Sequence, residues 1–231
     1  ALAGVALAVH FAGWIASLQY TTVAVSTLLV ATAPIWTAVY DAVIRRRTPS
    51  LRTLCGFAGG AAGLALVVGF NAAAPPIPGH PLFGAALALA GSLAMAIYLL
   101  IVRDVRGSLG TRTIVTRTYA WAAIVLVAAA VLMRQGPPAL ADLPAWGGIL
   151  GMALVSQLLG HTALNAALRW FSPSAVAFST LIEPVSAAVL AFFIFGEGVG
   201  PAAIAGGVIL LAAIGVVLSE ERSGVMPDAT M

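Results

Sequence analysis

Long apolar stretches recur along the chain, and polar residues are confined to short breaks between them. A helix that spans a bilayer needs roughly 20 mostly apolar residues, and about eight stretches approach or reach that length. Their continuous apolar character excludes a transmembrane barrel, whose strands alternate apolar and polar positions. The pattern predicts helices a to h at Ala1–Gln19, Val23–Ile44, Leu51–Phe70, Pro81–Val102, Ile114–Met133, Trp146–Leu168, Ser174–Phe195 and Pro201–Leu218.

The chain is far more apolar than a water-soluble domain. Hydrophobic residues make up 61% of its 231 positions and charged residues only 8%, whereas soluble domains carry roughly 25% charged residues. So few charges cannot cover a surface exposed to water. The sequence therefore predicts an all-α membrane protein, a polytopic bundle of about eight transmembrane helices whose first partner is the lipid bilayer.

Charge and cysteine content exclude several kinds of ligand. The net charge of +3 is spread over loops and forms no basic stripe, so we expect no nucleic-acid partner. The single cysteine, Cys55, excludes an internal disulfide and a cysteine-cluster metal site. We expect neither a cofactor nor a metal. No Walker-type phosphate loop is present, which argues against direct ATP drive.

The basic residues, all of them arginines, predict how the helices are oriented. If consecutive helices cross in alternate directions, Arg134 lies alone on one side of the membrane. The other side receives Arg45, Arg46, Arg47, Arg52, Arg103, Arg106, Arg112, Arg117, Arg169 and Arg222. This bias follows the positive-inside rule. We therefore predict a multi-pass protein of the cytoplasmic (inner) membrane, with the Arg-rich loops and the C-terminus in the cytoplasm.

Two parts of the chain align with each other without a gap. Residues 1–69 fall on residues 151–219, so that Pro34 falls on Pro184 and Gly56 on Gly206. Helices a, b and c then correspond to f, g and h. Because equivalent helices lie an odd number of helices apart, they cross in opposite directions. Such an inverted repeat is typical of secondary transporters.

Helices d and e have no counterparts in the first half of the chain. We infer that about two equivalent helices belong before helix a, as a repeat of five helices requires. The predicted domains are a partial first repeat of three helices (1–70) and a second repeat of five helices (81–219).

The two equivalent stretches also resemble a known family. They read TLLVATAPIWTAVYDAVIRRRTPSLRTLCG (27–56) and SAVAFSTLIEPVSAAVLAFFIFGEGVGPAAIAG (174–206). A mid-helix proline followed by small residues, a Gly-Glu at the helix end and a glycine early in the next helix resemble the paired EamA domains of the drug/metabolite transporter superfamily. The resemblance implies a ten-helix, two-repeat carrier of small metabolites, often an exporter, here without its first two helices. The first repeat departs from the pattern at Arg46 and Arg47, where the second has Gly196 and Glu197.

Glu183 is the most distinctive candidate for a substrate-binding residue. It lies near the middle of helix g, directly before Pro184, which cannot donate to the carbonyl of Thr180 and favours a kink. An ionisable residue within a transmembrane helix indicates function by default. Glu183 can bind a substrate amine or carry a coupling proton, and packing as a protonated acid is the alternative.

Helix f carries three polar residues at a spacing of four: Gln157, His161 and Asn165. This spacing predicts that they share one helical face. That face is directed either to a substrate cavity or to hydrogen bonds with a neighbouring helix.

Aromatic and imidazole side chains on other helices are further candidates for substrate contact. His10 and Trp14 are four residues apart on helix a, Trp36 lies on helix b, and Tyr98 lies on helix d. Each suits the lining of a ligand pocket, and packing within the bundle is the alternative. Tyr40 is expected to be an interfacial aromatic anchor.

Small and charged residues predict contacts between helices. Asp41 and Arg45 are expected to pair at the membrane boundary. Glycine pairs four apart predict close approach of neighbouring helices, with a homodimer as an alternative. The pairs are Gly56 with Gly60, Gly59 with Gly63, and Gly147 with Gly151.

Together these features predict a secondary active transporter rather than an enzyme. It exports small organic metabolites such as amino acids by alternating access of two inverted repeats. A membrane-embedded enzyme acting on lipid-like substrates is one alternative, although such chemistry usually needs clustered carboxylates or a Ser/His constellation. An inactive truncated fragment is another.

Overall fold

The computed structural model describes residues 1–21, 23–69, 80–183, 185, 186, 189, 190, 193 and 200–224. Within these ranges the regular structure is helical, with no strand. The α-helices are α1 (Leu2–Ser17), α2 (Val23–Val30), α3 (Ala33–Val43), α4 (Leu51–Gly69), α5 (Pro81–Val105), α6 (Thr111–Leu132), α7 (Leu143–Gly151), α8 (Thr162–Ala167), α9 (Pro173–Ser179) and α10 (Pro201–Gly224). A π-helix, Met152–His161, joins α7 to α8, and a 3₁₀ turn, Thr180–Ile182, follows α9.

The described helices confirm the predicted membrane bundle. Those long and apolar enough to cross a membrane are Val25–Val43, Leu82–Val105, Thr111–Leu132 and Leu143–Ala167. Shorter apolar helices occupy Leu2–Ser17, Leu51–Val67, Pro173–Ile182 and Ile204–Ser219. Each of these segments coincides with one of the helices predicted from the apolar pattern.

The predicted helix b is divided where its proline removes a backbone donor. Pro34 cannot donate to the carbonyl of Val30, so the α-helical ladder is interrupted, and α2 ends before α3 begins. The hydroxyl of Thr32 donates to the carbonyl of Leu29 at 2.6 Å, and the Thr32 N–H reaches the same oxygen at 3.2 Å. The chain therefore crosses this level as two helices rather than one.

The equivalent helix of the second repeat changes form at the equivalent level. Its α-helix, α9, ends at Ser179, and residues Thr180–Ile182 tighten into a 3₁₀ turn. These residues align with 30–32, where α2 ends. Pro184, Gly196 and Glu197, on which part of the family resemblance depends, lie outside the described residues.

Helices α4 and α10 pack together through glycines that the repeat relates. Gly56 stands against the side chain of Val217, and a Cβ at Gly206 would lie 2.9 Å from the backbone nitrogen of Val67. In the alignment of residues 1–69 with 151–219, Gly56 falls on Gly206 and Val67 falls on Val217. The contact of Gly56 with Val217 is therefore the repeat equivalent of the contact of Gly206 with Val67. Two equivalent helices packed about a two-fold axis produce this kind of reciprocity.

Glycines predicted to mark close helix approach divide into two groups. A Cβ at Gly63 would lie 2.7 Å from the carbonyl of Gly206, and one at Gly60 would lie 2.6 Å from the ring of Phe178, so close approach is confirmed there. At Gly147 and Gly151 no close approach is seen, because a Cβ at either would meet no described atom within 4 Å, and the homodimer alternative stays a prediction. Neither glycine of α7 faces another described helix.

Helix α1 packs between α5 and α6, and this arrangement sets the position of the candidate site. Gly13 and Gly91 let the backbones of α1 and α5 approach, since a Cβ at Gly13 would lie 3.2 Å from the Gly91 nitrogen. At the next level Leu7, Tyr98 and Leu99 are fully buried. The side chains of α1 are thereby held against α5 and α6, which belong to the predicted second repeat.

The segment from α7 to α8 is much less buried by other described helices than α5 is. None of the residues in the apolar window of Leu143–Ala167 is buried, whereas 56% of the window in Leu82–Val105 is buried. Its repeat equivalent, α1, contacts both α5 and α6.

Candidate functional site

A polar and aromatic cluster lies where α1, α5 and α6 meet the π-helix and α8. It joins side chains from both predicted repeats inside an otherwise apolar bundle. Its members are His10, Phe11, Trp14, Tyr98, Tyr119, His161, Thr162 and Asn165.

His10 anchors the cluster to α5. Its Nδ1 lies 2.9 Å from the carbonyl oxygen of Gly91, and only 5% of the residue is exposed. Because a carbonyl can only accept, Nδ1 carries the proton. The ring stacks on Trp14 with centroids 6.0 Å apart. His10 and Trp14 are therefore brought together as their spacing predicts, with His10 held by the backbone.

His161 lies at the centre of the cluster. Its ring meets Phe11 edge to face at 5.2 Å between centroids, and the rings of His10 and Tyr98 lie 6.3 and 6.4 Å away. Its Nδ1 is buried and has no hydrogen-bond partner among the described residues. Phe11 is the repeat equivalent of His161, so the two repeats meet at this pair.

Asn165 and Tyr98 are the most deeply buried pair of the cluster. Both are 0% exposed, and the Asn165 amide donates to the Tyr98 hydroxyl and, at 2.7 Å, to the carbonyl of His161. Its Oδ1 is buried without a partner among the described residues. An unmatched buried acceptor costs about 1–3 kcal/mol, and a donor group on a ligand can offset that cost.

Tyr119 is a member of the cluster that the sequence analysis missed. Its hydroxyl donates to the carbonyl of Gln157 at 3.1 Å and lies 3.2 Å from the Thr162 hydroxyl. The sequence does contain a feature that could have identified it. Tyr119 is the one tyrosine of the predicted helix e, and a partly buried tyrosine hydroxyl usually finds a hydrogen-bond partner.

Gln157 does not join the cluster as predicted. Gln157 and His161 both lie in the π-helix Met152–His161, whose hydrogen bonds run from residue i to i+5. Gln157 contributes its backbone carbonyl, and no described contact of its side chain reaches the cluster.

Trp36 and Glu183 lie apart from the cluster in the described contacts. The indole nitrogen of Trp36, on α3, is buried without a partner among the described residues. Glu183 is exposed and follows the 3₁₀ turn. Neither is joined to the cluster, yet each lies close to a break in its helix.

An ionic network lies at the Arg-rich end of the bundle. Asp41 Oδ1 lies 3.8 Å from Arg45 Nε, which confirms the predicted pair, and 3.5 Å from Arg103 Nη1. The hydroxyl of Ser174 donates to Asp41 Oδ2 at 3.4 Å, and Arg45 also pairs with Asp104 at 3.2 Å. Asp41 thus ties α3 to α5 and to α9.

Possible metal ligands are dispersed in the described part of the chain. Across the residues that the structure describes, no group of three His, Cys, Asp or Glu side chains is arranged to hold a metal ion.

Comparison with known proteins identifies the family. The family model described as EamA-like transporter family matches residues 1–69 and 82–219. The chain therefore belongs to the EamA-like transporter family. It is a multi-pass membrane protein and a membrane transporter of small molecules.

The fold is shared with solved structures. Nineteen solved chains match. One, a crystal structure titled only "Crystal structure of protein", superposes with a TM-score of 0.79 at 13% identity, over 97% of this chain and 77% of its own. At that identity the likeness shows the fold alone. No curated protein matches the chain.

Proposed function

We propose that this EamA-like transporter is a secondary active exporter of small organic metabolites such as amino acids, working by alternating access of its two inverted repeats. The observation that carries the proposal is the buried cluster at the junction of the repeats. Its His161 Nδ1 and Asn165 Oδ1 have no partner among the described residues. Unpaired polar atoms are costly within a bilayer, and a polar solute that binds between the repeats supplies the missing partners.

The broken helices support alternating access. Transporters with inverted repeats commonly bind substrate beside discontinuous helices near the bilayer midplane. Here the α2–α3 break and the 3₁₀ turn after α9 fall at equivalent levels of the two repeats. The reciprocal contact of Gly56 and Gly206 supplies a packed pair of helices about which the repeats can rock.

We assign the bare face of α7–α8 to two further helices equivalent to α5 and α6. The support is the difference in burial between α1, which α5 and α6 cover, and its repeat equivalent, which has no buried residue in its apolar window. With that face covered, the first repeat has five helices like the second.

The direction of the helices follows from the arginine bias. We place the Arg-rich loops and the C-terminus in the cytoplasm and the protein in the cytoplasmic membrane. The Asp41 network then joins α3, α5 and α9 at the cytoplasmic end of the bundle.

Uptake into vesicles tests the proposal. Purified full-length protein is reconstituted, and entry of labelled amino acids and other metabolites is measured with and without a pH gradient. Tyr98→Phe removes the hydroxyl that Asn165 contacts, and Tyr20→Phe, a tyrosine outside the cluster that packs on Phe83, is the matched control. We expect uptake above that of empty vesicles, reduced by roughly tenfold in Tyr98→Phe because one hydrogen bond is lost, and unchanged in Tyr20→Phe. Equal uptake by both variants contradicts a substrate site at the cluster.

The coupling role assigned to Glu183 has its own test. We propose that this carboxylate carries a proton or binds a substrate amine beside the helix break. Glu183→Gln keeps the shape of the side chain and removes its titration. Loss of the pH-gradient effect supports the role, and an unchanged rate and pH response in the variant removes Glu183 from the mechanism. A requirement for divalent metal in any activity favours the alternative of a membrane-embedded enzyme.

A further inference from the structure

Arg106 is a cation whose buried nitrogens lack acceptors. It caps the C-terminal end of α5, and its Nη2 donates to the hydroxyl of Thr111 at 2.6 Å. Its Nε and Nη1 are buried and have no partner among the described residues. A guanidinium has five N–H donors and no acceptor, so only an acceptor from elsewhere satisfies these two atoms.

A second arginine adds positive charge beside the first. Burial lowers the pKa of the Arg106 guanidinium, and the like charge of Arg169 lowers that pKa further. Arg169 lies over the ring of Trp170, 5.3 Å from its centroid. Repulsion between like charges disfavours the arrangement, and an anion bound at Arg106 lowers that cost.

Three aspartates of the described chain have partners other than Arg106 and Arg169. Asp41 and Asp104 pair with Arg45 and Arg103, and Asp142 accepts the backbone N–H of Ala145 at the start of α7. Among the acids whose side chains the structure describes, Asp41, Asp104, Asp142 and Glu183, none is paired with Arg106 or Arg169.

The two arginines follow the residues that join α5 to α8. We call this contact between α5 and α8, which contains the Tyr98–Asn165 hydrogen bond, the seam. Arg106 directly follows α5, eight residues beyond Tyr98, and Arg169 lies exposed in the turn after α8, four residues beyond Asn165. Tyr98 and Asn165 are hydrogen-bonded to each other, so the segments that follow them leave the cluster toward the same end of the bundle. The two cations therefore lie at the Arg-rich end of the same seam.

We propose that Arg106 and Arg169 form an oxyanion site at the mouth of this seam, which binds the carboxylate group of a small soluble solute. This deepens the proposed function, on which it rests, by naming a substrate class: solutes that carry a carboxylate. Charge-assisted hydrogen bonds from arginine to a carboxylate are among the strong ones in proteins. Arg106 anchors the oxyanion, Arg169 adds charge, and the rest of the solute extends toward Tyr98 and Asn165.

A soluble solute suits this position better than a lipid headgroup. The unpartnered nitrogens of Arg106, which anchors the proposed oxyanion, are buried, although Arg169 is exposed. By contrast, a surface depression of about 400 Å³ is lined by Arg112, Thr113, Thr116 and Arg117. Its two arginines are exposed, where the phosphate of an anionic lipid is more readily reached.

Equilibrium binding to the purified full chain tests the site without requiring transport. The probes are radiolabelled N-acetylalanine, which carries a carboxylate, and its neutral amide, N-acetylalaninamide. Binding is measured at matched ionic strength in neutral detergent, and again in bilayers with and without phosphatidylglycerol. The variants are Arg106→Gln, Arg106→Lys and Arg169→Gln, with Arg134→Gln as the matched control from the opposite side of the predicted topology.

We expect the carboxylate to bind at least about tenfold more tightly than the amide, the ratio for a lost charge-assisted hydrogen bond. That preference disappears in Arg106→Gln, weakens in Arg169→Gln, is partly retained in Arg106→Lys and is unchanged in Arg134→Gln. Equal binding of both probes, or the same preference in Arg106→Gln as in the native chain, overturns the site. Carboxylate binding abolished by phosphatidylglycerol also overturns it, because the arginines are then a lipid site.

Failure of this site and failure of the carrier proposal give different results. Carboxylate binding that depends on Arg106, without uptake of any solute into vesicles, supports the site and contradicts the carrier. Uptake of solutes that is indifferent to the carboxylate and to Arg106→Gln contradicts the site and leaves the carrier standing.

Discussion

Adding one methyl group to Gly63 should push α4 and α10 apart. A Cβ at this position would lie 2.7 Å from the carbonyl oxygen of Gly206 and 2.8 Å from the backbone nitrogen of Leu210. Both atoms belong to the backbone of α10, so no side-chain rotation relieves the contact. Gly59, on the same helix, offers a matched control, because its Cβ would lie 3.5 Å from the Cβ of Ala213, an ordinary contact.

The two substitutions are expected to change the free energy of unfolding in different directions. Overpacking of this kind costs about 1–3 kcal/mol, whereas replacing glycine by alanine within a helix gains about 1 kcal/mol. Gly63→Ala should therefore destabilise the bundle by about 1–2 kcal/mol, and Gly59→Ala should leave it unchanged or stabilise it by up to about 1 kcal/mol. For a chain of this size, each kcal/mol corresponds to a midpoint shift of about 2–4 °C.

Thermal unfolding in detergent, followed by circular dichroism, measures the difference between the two variants. Gly206→Ala should resemble Gly63→Ala, because its Cβ would meet the carbonyl of Gly63 at 2.7 Å. The double variant should cost less than the sum of the two, since both report on one contact. If Gly63→Ala is as stable as Gly59→Ala, α4 and α10 do not pack at these glycines and the two-fold relation of the repeats loses its support.

Two further predictions concern charged residues. Asp41→Asn should destabilise the protein by about 1–2 kcal/mol, between the values for exposed and buried ion pairs, because Asp41 and Arg103 are only 20% and 15% exposed. Asp104→Asn changes a carboxylate that is 53% exposed and should cost less than about 1 kcal/mol. Equal thermal unfolding midpoints for the two variants would argue against the network. In a Cys55→Ser background, Arg134→Cys should react with a membrane-impermeant thiol reagent from outside intact cells, whereas Arg47→Cys should react only after the membrane is opened. The opposite pattern would reverse the assigned topology.

The bundle could be predicted from the apolar pattern because its cause is local. Each spanning segment is a run of apolar residues ended by polar or proline-rich breaks, and lipid leaves the backbone no alternative to a helix. A kink beside Glu183 was predicted, because Pro184 cannot donate to the carbonyl of Thr180, whereas helix b was predicted as one helix and the structure divides it into α2 and α3.

The parts that escaped prediction depend on packing between distant segments. Nothing in the composition of Met152–His161 indicates a π-helix, and no described contact joins the Gln157 side chain to the cluster that contains His161 and Asn165. Gly147 and Gly151 have the same spacing as Gly56 and Gly60, yet only the second pair faces another described helix. Spacing shows that a face permits close approach, and it carries no information about whether a helix lies opposite.

Counterflow in reconstituted vesicles tests the central claim most directly, that this chain moves a small solute by exposing one site alternately to the two sides. Vesicles containing the full-length protein are loaded with an excess of unlabelled solute and diluted into a trace of the same solute with label. A carrier exchanges internal for external solute, so the account predicts a transient accumulation of label above its external concentration, weakened in Tyr98→Phe and unchanged in Tyr20→Phe. If the label only equilibrates, or enters no faster than in empty vesicles across the whole panel of solutes, the account of this chain as an alternating-access carrier is contradicted.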